Sequence, residues 1–201
     1  MTLLVWEWLE RPGLDVATVS RAPGEDTLVD GHAVVSWDGE LLDLRYRLAC
    51  DSAWVFREVT LRTELAGAMR QLTLHRDPDG WRAEGEFRPD LADAIDIDIM
   101  ATPMTNTLPI RRAAWSPGQR QDFTMAYIRL PDLVVVPVKQ RYTALSPGRF
   151  RYELVPGASY AAPSDAAGYH RVDDGFSAEL AVDGDGFVLS YPPYWQRRRP
   201  G

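Results

Sequence analysis

Polar and apolar positions in this chain alternate with a period of two over most of its length. From Leu41 to Ala49, Leu42, Leu44, Tyr46 and Leu48 fall on one face while Asp43, Arg45 and Arg47 fall on the other, as in a strand with one side packed and one side wet. Val134, Val136, Val138, Gln140 and Tyr142 repeat the pattern, as do Phe150, Tyr152 and Leu154, and then Phe176, Ala178, Leu180 and Val182. Between such runs stand Trp37-Asp38-Gly39, Asp77-Pro78-Asp79-Gly80 and Asp183-Gly184-Asp185-Gly186, whose Asp and Gly residues tolerate positive φ in hairpin connections. Neighbouring strands are therefore expected to be antiparallel. Helix signals are sparse. The best, Arg88 to Ala94, is short and carries Pro89, which suits only a first turn, and Ala158 to His170 contains Pro163 and Gly168 and reads as loop or irregular strand. About a dozen short strands joined by tight turns predict a mainly β single domain, an antiparallel half-barrel, barrel or strongly curved sheet with little helix. The domain is expected to span residues 1–195, followed by a basic tail, 196–201, that includes Arg197, Arg198 and Arg199.

Size and charge narrow the class. A chain of 201 residues hides roughly 70% of its unfolded surface and needs neither disulfide nor structural metal, in keeping with a single cysteine, Cys50, that has no internal partner. The opening Met-Thr-Leu-Leu-Val-Trp meets Glu7 before a signal-length apolar run develops, and no segment approaches the roughly 18 apolar residues of a membrane span. A soluble, cytoplasmic protein is the expectation. The net charge of -7 argues against nucleic acid and anionic membranes, which select clustered Lys and Arg.

The densest chemistry lies between Asp93 and Arg112. Asp96 and Asp98 point one way and Ile95, Ile97 and Ile99 the other, and Arg111 and Arg112 follow closely enough to pair with the carboxylates. Thr102-Pro-Met-Thr-Asn-Thr-Leu-Pro109 reads as a proline-braced loop in which Thr102, Thr105 and Asn106 either hold a polar head group or satisfy their own backbone. Arg57 shares an apparently apolar face with Val55, Val59 and Leu61, where an isolated charge costs several kcal/mol, so it is expected to meet a carboxylate or line a wet cavity. Asp51 and Trp54 precede it. Two aspartates at i and i+2 suit a hard cation only weakly, and His32, His75 and His170 lack ligand spacing, so no metal or cofactor is expected. Cys50 has no basic neighbour to activate it and reads as an inert buried thiol. There is no Gly-x-Ser-x-Gly elbow and no Gly-rich phosphate loop. Seven Trp and eight Tyr offer flat faces for sugar rings or amphiphiles at a cavity mouth, or they fill the core, as Trp6 and Trp8 are expected to do.

Several blocks carry a family resemblance: Asp51-Ser-Ala-Trp-Val-Phe-Arg57, Gly80-Trp81, the run from Asp96 through Thr-Pro-Met-Thr-Asn-Thr-Leu-Pro-Ile-Arg-Arg112, Gln140-Arg-Tyr142, and Phe176 through Tyr191-Pro192 with Trp195 beyond. With them the chain resembles a bacterial family of glycolipid-binding proteins, once a domain of unknown function. The resemblance implies a fold like that of half-barrel carriers that shelter lipids or lipoproteins. On the matching polar blocks, the candidate ligand-binding set is Asp51, Trp54, Arg57, Asp96, Asp98, Thr102, Thr105, Asn106, Arg111, Gln140 and Tyr142. The leading expectation is a binding protein for a glycolipid or other amphiphile held in a deep, apolar concavity of a few hundred Å³. An alternative is an enzyme acting on a small amphiphile or sugar-like metabolite with Asp51, Asp96 or Asp98 as general base. A third is an interaction module that pairs through a sheet edge.

Overall fold

A computed structural model describes residues 1–21, 25–155 and 175–198; the stretch from Ala158 to His170 lies outside them. The first half of the chain forms β1 (Thr2–Trp8), β2 (Gly13–Ser20), β3 (Thr27–Trp37), β4 (Glu40–Cys50), β5 (Phe56–Leu65), β6 (Ala68–Asp77), β7 (Gly80–Ala83) and β8 (Glu86–Phe87). The second forms β9 (Ala94–Ile99), β10 (Arg120–Ile128), β11 (Val135–Ser146), β12 (Arg149–Leu154), β13 (Ser177–Val182), β14 (Val188–Tyr191) and β15 (Trp195–Arg198). They make one fifteen-stranded sheet in the order β8-β7-β6-β5-β4-β3-β2-β1-β15-β14-β13-β12-β11-β10-β9. β1–β8 and β10–β15 are thus each a meander, and β1 and β15 join the two side by side. The hairpin turns fall where Asp and Gly allow them, with Asp38 and Gly39 both at positive φ between β3 and β4. Among neighbours, β9 and β10 run parallel, so the sheet is mixed at that edge rather than wholly antiparallel.

The sheet does not close into a barrel. Its two ends nevertheless meet through side chains: Trp81 Nε1 of β7 donates to the Ala94 carbonyl of β9 at 3.0 Å, and the Thr63 hydroxyl of β5 donates to the Pro131 carbonyl at 3.1 Å. The larger buried cluster lies against β1–β7 and takes in Trp6, Leu44, Leu48, Phe56, Leu61, Leu74 and Trp81. The smaller, more aromatic one lies against β10–β14 and includes Phe123, Tyr142, Phe150 and Tyr152. Ile97 and Ile99 of β9 belong to the larger cluster, and on the opposite face Asp96 is buried and Asp98 half-buried.

Three expectations are corrected. Arg57 is exposed, because a register shift in the β4–β5 pairing sets Ala49 opposite Glu58 but Cys50 opposite Phe56, and the extra residue, Arg57, swings outward. Gln196, Arg197 and Arg198 are not a tail but part of β15, with Arg197 held by Asp183 at 2.5 Å and Arg198 by Glu7. The main helical segment is not at Arg88, where a 3-10 turn covers Pro89–Leu91, but in the presumed polar loop: a 3-10 turn over Pro103–Asn106 runs into helix α1 (Thr107–Arg112). Thr102 caps that start by accepting from the Met104 N–H, and Pro103 and Pro109 each sit in a first turn, where a missing N–H costs nothing.

Candidate functional site

The segment after β9 is an insert held between the two halves of the sheet, and every residue from Ala101 to Ile110 is buried. Polar side chains in such a place must find partners inside the protein, and these do. The Thr102 hydroxyl donates to the Asp15 carboxylate of β2, and the Tyr46 hydroxyl of β4 lies 3.2 Å from both Asp15 oxygens and from Thr102 Oγ1. Tyr46 reaches β2 because the strand it crosses carries Gly31, where a Cβ would fall 1.9 Å from the Tyr46 ring. Asp15 is wholly buried, and burial pushes its carboxyl up to about 7 against the opposing bonds from Thr102 and Tyr46.

Asp98 sits on the opposite side of the insert. Gln140 Nε2 of β11 donates to one of its oxygens at 2.6 Å, and the Thr105 hydroxyl donates to the other at 3.1 Å while accepting from the Ile99 N–H. Burial raises the Asp98 carboxyl above the usual carboxylate range, and the bonds from Gln140 and Thr105 oppose that rise. Asn106 Nδ2 donates to the Tyr142 hydroxyl at 2.9 Å. Asp96, fully buried, accepts from Arg112 at 2.6 Å; burial again raises its carboxyl and the guanidinium works against the rise.

Beside Asp98 lies a half-open cavity of about 100 Å³. Half of its fourteen lining residues are aromatic: Trp8, Tyr127, Tyr152, Phe176, Tyr191, Tyr194 and Trp195. Ile99, Met100, Val138 and Leu154 add aliphatic wall, and Asp98, Thr102 and Asn106 are its polar members. At about 100 Å³ it is smaller than the concavity expected from the sequence; an engineered cavity of roughly 150 Å³ takes one benzene.

The candidate residues therefore divide. Asp98, Thr102 and Asn106 line the cavity, and Thr105, Gln140 and Tyr142 hold Asp98 and Asn106 in place from behind. Asp96 is turned to Arg112. Asp51, Trp54, Arg57 and Arg111 lie away from the cavity lining. Asp51 pairs with Arg57 at 2.9 Å and accepts from the N–H groups of Ala53 and Val55, while the Arg111 guanidinium stacks 4.5 Å from the buried Trp54 ring and donates to the Asp185 carbonyl. Sequence reasoning did not single out Asp15 or the ring wall. Tyr152 and Leu154 were visible as alternate residues of one strand, but nothing local pairs them with Tyr191, Tyr194 or Trp8.

Among the described residues no group of three or more His, Cys, Asp or Glu is arranged to hold a metal ion, and no helix is long and apolar enough to cross a membrane. Burial pushes the Cys50 thiol far up, with further push from the Asp96 charge, so it is a poor nucleophile.

Comparison with known proteins agrees with this architecture. No curated protein matches the chain. Among solved structures, a DUF1089 family protein from Pseudomonas aeruginosa is 31% identical, with 92% of each chain covered and a TM-score of 0.72. The family model described as "Putative glycolipid-binding" matches residues 3–197. With a family match over nearly its whole length and a solved relative of the same fold, the chain belongs to the DUF1089 family, the one whose model carries that description.

Proposed function

We propose that this protein binds an amphiphilic small molecule by seating one compact group of it in the cavity beside Asp98. The observation that carries this reading is a half-open hollow with mostly ring and aliphatic walls and three convergent polar side chains, Asp98, Thr102 and Asn106. The name of the family supports the ligand class. The volume limits what enters: a head group or a short apolar end fits, and the rest of a glycolipid-sized ligand lies outside along the protein surface. Binding is favoured over general-base catalysis because both Asp98 oxygens already accept hydrogen bonds, from Gln140 and Thr105, which anchors the carboxylate. Asp51 and Asp96 are likewise committed, to Arg57 and Arg112. The charge of -7 disfavours nucleic-acid partners.

The test is native mass spectrometry of protein purified from its own source, followed by organic extraction. An amphiphile that copurifies, and is lost from a Tyr191→Ala variant, is the expected result. Protein that carries nothing and also fails to take up any of a panel of fluorescent lipid analogues rejects the reading.

A further inference from the structure

Four of the rings at the cavity form a closed circuit of contacts. Tyr152 meets Phe176 at 5.8 Å and 70°, Phe176 meets Tyr194 at 5.9 Å and 31°, Tyr194 meets Tyr191 at 5.4 Å and 88°, and Tyr191 returns to Tyr152 at 6.2 Å and 62°. The mostly steep angles turn faces and edges toward one another as box walls do, and Trp8 and Trp195, 4.8 Å apart, continue the wall. One carboxylate, Asp98, lies in the lining, and among the described residues no Lys, Arg or His does.

Each broad class of head group can be weighed against these groups. An anionic head, a carboxylate or phosphate, meets Asp98 and finds no cation in the lining among the described residues, Arg11 being engaged over the Trp8 ring at 5.0 Å, so charge repulsion and desolvation both oppose it. A sugar head needs many directed partners for its hydroxyls. Outside the tyrosine hydroxyls of the wall, the polar side chains in the lining already have partners: Thr102 serves Asp15 and the Met104 N–H, Asn106 donates to Tyr142, and Asp98 receives Gln140 and Thr105. Hydroxyls buried there without partners lose what they had in water. A wholly apolar group dries Asp98 further and gives it nothing in return. A substituted ammonium differs from all three: its attraction to ring faces is electrostatic, it needs no directed acceptor, and a nearby carboxylate strengthens it.

From this we infer that the cavity is an aromatic cage for an organic cation, a methylated or otherwise substituted ammonium head group, with Asp98 as its counter-charge. The inference rests on the amphiphile-binding reading above and specifies the head. A trimethylammonium group, roughly five heavy atoms with its first methylene, is of the size that a hollow of about 100 Å³ with an open side admits. The remaining chain of the ligand leaves through that open side.

The experiment compares choline with 3,3-dimethylbutan-1-ol, its neutral carbon isostere, by calorimetric titration of the purified, delipidated protein, with acetate as the anionic control. The expected result is choline binding about tenfold or more tighter than the isostere, with no binding of acetate. Asp98→Asn should shrink that preference several-fold, and Tyr191→Leu, which keeps the apolar bulk but removes a ring, should shrink it independently, each variant being checked for a wild-type near-ultraviolet circular dichroism spectrum. If Asp98→Asn fails to fold, Tyr191→Leu alone decides. Equal or tighter binding of the isostere overturns the cation assignment while leaving the amphiphile reading standing. Acetate binding overturns it as well. If neither choline nor the isostere binds and fluorescent lipid analogues do, the head-group site lies elsewhere and the cage is refuted. If none of these binds, both readings fall.

Discussion

The wall of β3–β6 and the insert that follows β9 bury their residues in opposite ways. In the wall, Leu42, Leu44, Tyr46 and Leu48 point inward while Asp43, Arg45 and Arg47 lie on the solvent side, with His32 2.8 Å from the half-buried Asp43 and Arg47 3.6 Å from Asp30. In the insert nothing from Ala101 to Ile110 faces water, and Thr102, Thr105, Asn106 and the adjoining Asp98 and Asp96 are hydrogen-bonded inside the protein. The wall is stabilised by apolar area and tolerates changes in its charges. The insert depends on pairing, and a single lost partner strands a buried polar group. The cavity forms beside the insert, where Asp98 and the rings are held at fixed positions.

The largest effect that sharpens this contrast is expected from Arg112→Met. It leaves Asp96, whose second oxygen makes no hydrogen bond among the described residues, without its guanidinium, and urea denaturation should record a loss of about 3–5 kcal/mol. Adding Asp96→Asn to that variant should recover part of the loss, and a failure to recover any would show that Arg112 acts through packing. A change of comparable size concerns pH. The Asp15 carboxyl is raised in the folded state to about 7 from an ordinary value of 3.8, so the native state holds its proton over a range where the unfolded chain has released it. Stability from this group is therefore complete below the unfolded pKa and is lost as pH rises toward 7, a total on the order of 4 kcal/mol. Asp96 and Asp98 slope the same way, so the wild type should be compared with Asp15→Asn. The variant's unfolding profile should be flatter between about pH 4 and 8, and parallel profiles would remove Asp15 from the argument.

In the wall, Leu61→Ala empties a fully buried site and should cost about 3 kcal/mol at every pH, with no pH-dependent component. The smallest effect is expected from Arg57→Met. Arg57 is exposed and its partner Asp51 half-buried but also held by two backbone N–H groups, so thermal unfolding should move by the equivalent of about 0–1 kcal/mol and ligand affinity should be unchanged. A marked loss of affinity in that variant would return the Asp51–Arg57 pair to the site.

Where one side of a strand meets water, the residue pattern announces it, and β4, β12 and β13 were legible for that reason. It fails when the wet side is missing. Thr102 through Pro109 carries polar residues and two prolines, so it reads as an exposed loop, although Thr102 before Pro103 is also a helix start and could have been taken as one. β2 is inverted outright: Leu14 and Val16 face outward while Asp15 is buried, because Ala17 and Val19 on Asp15's face pack into the core and the strand's phase follows them. Arg57 was misplaced by a single bulge, which local alternation cannot announce. Of the candidate site, the polar half was visible as a cluster of unusual residues. The ring wall was not, because Trp8, Tyr152, Tyr191 and Tyr194 come from separate strands and turns and meet only through sheet topology.

The seam between β1 and β15 has a consequence for how the protein is made. Glu7 and Arg198, which pair across it, are 191 positions apart, and the Trp6 indole donates to Val188 from 182 positions away. A ribosome therefore releases β1 long before its second neighbour exists, and one row of its backbone groups waits unsatisfied while the intervening hairpins assemble. Joining the two meanders closes the longest loop in the molecule, and this step is expected to set the pace of folding.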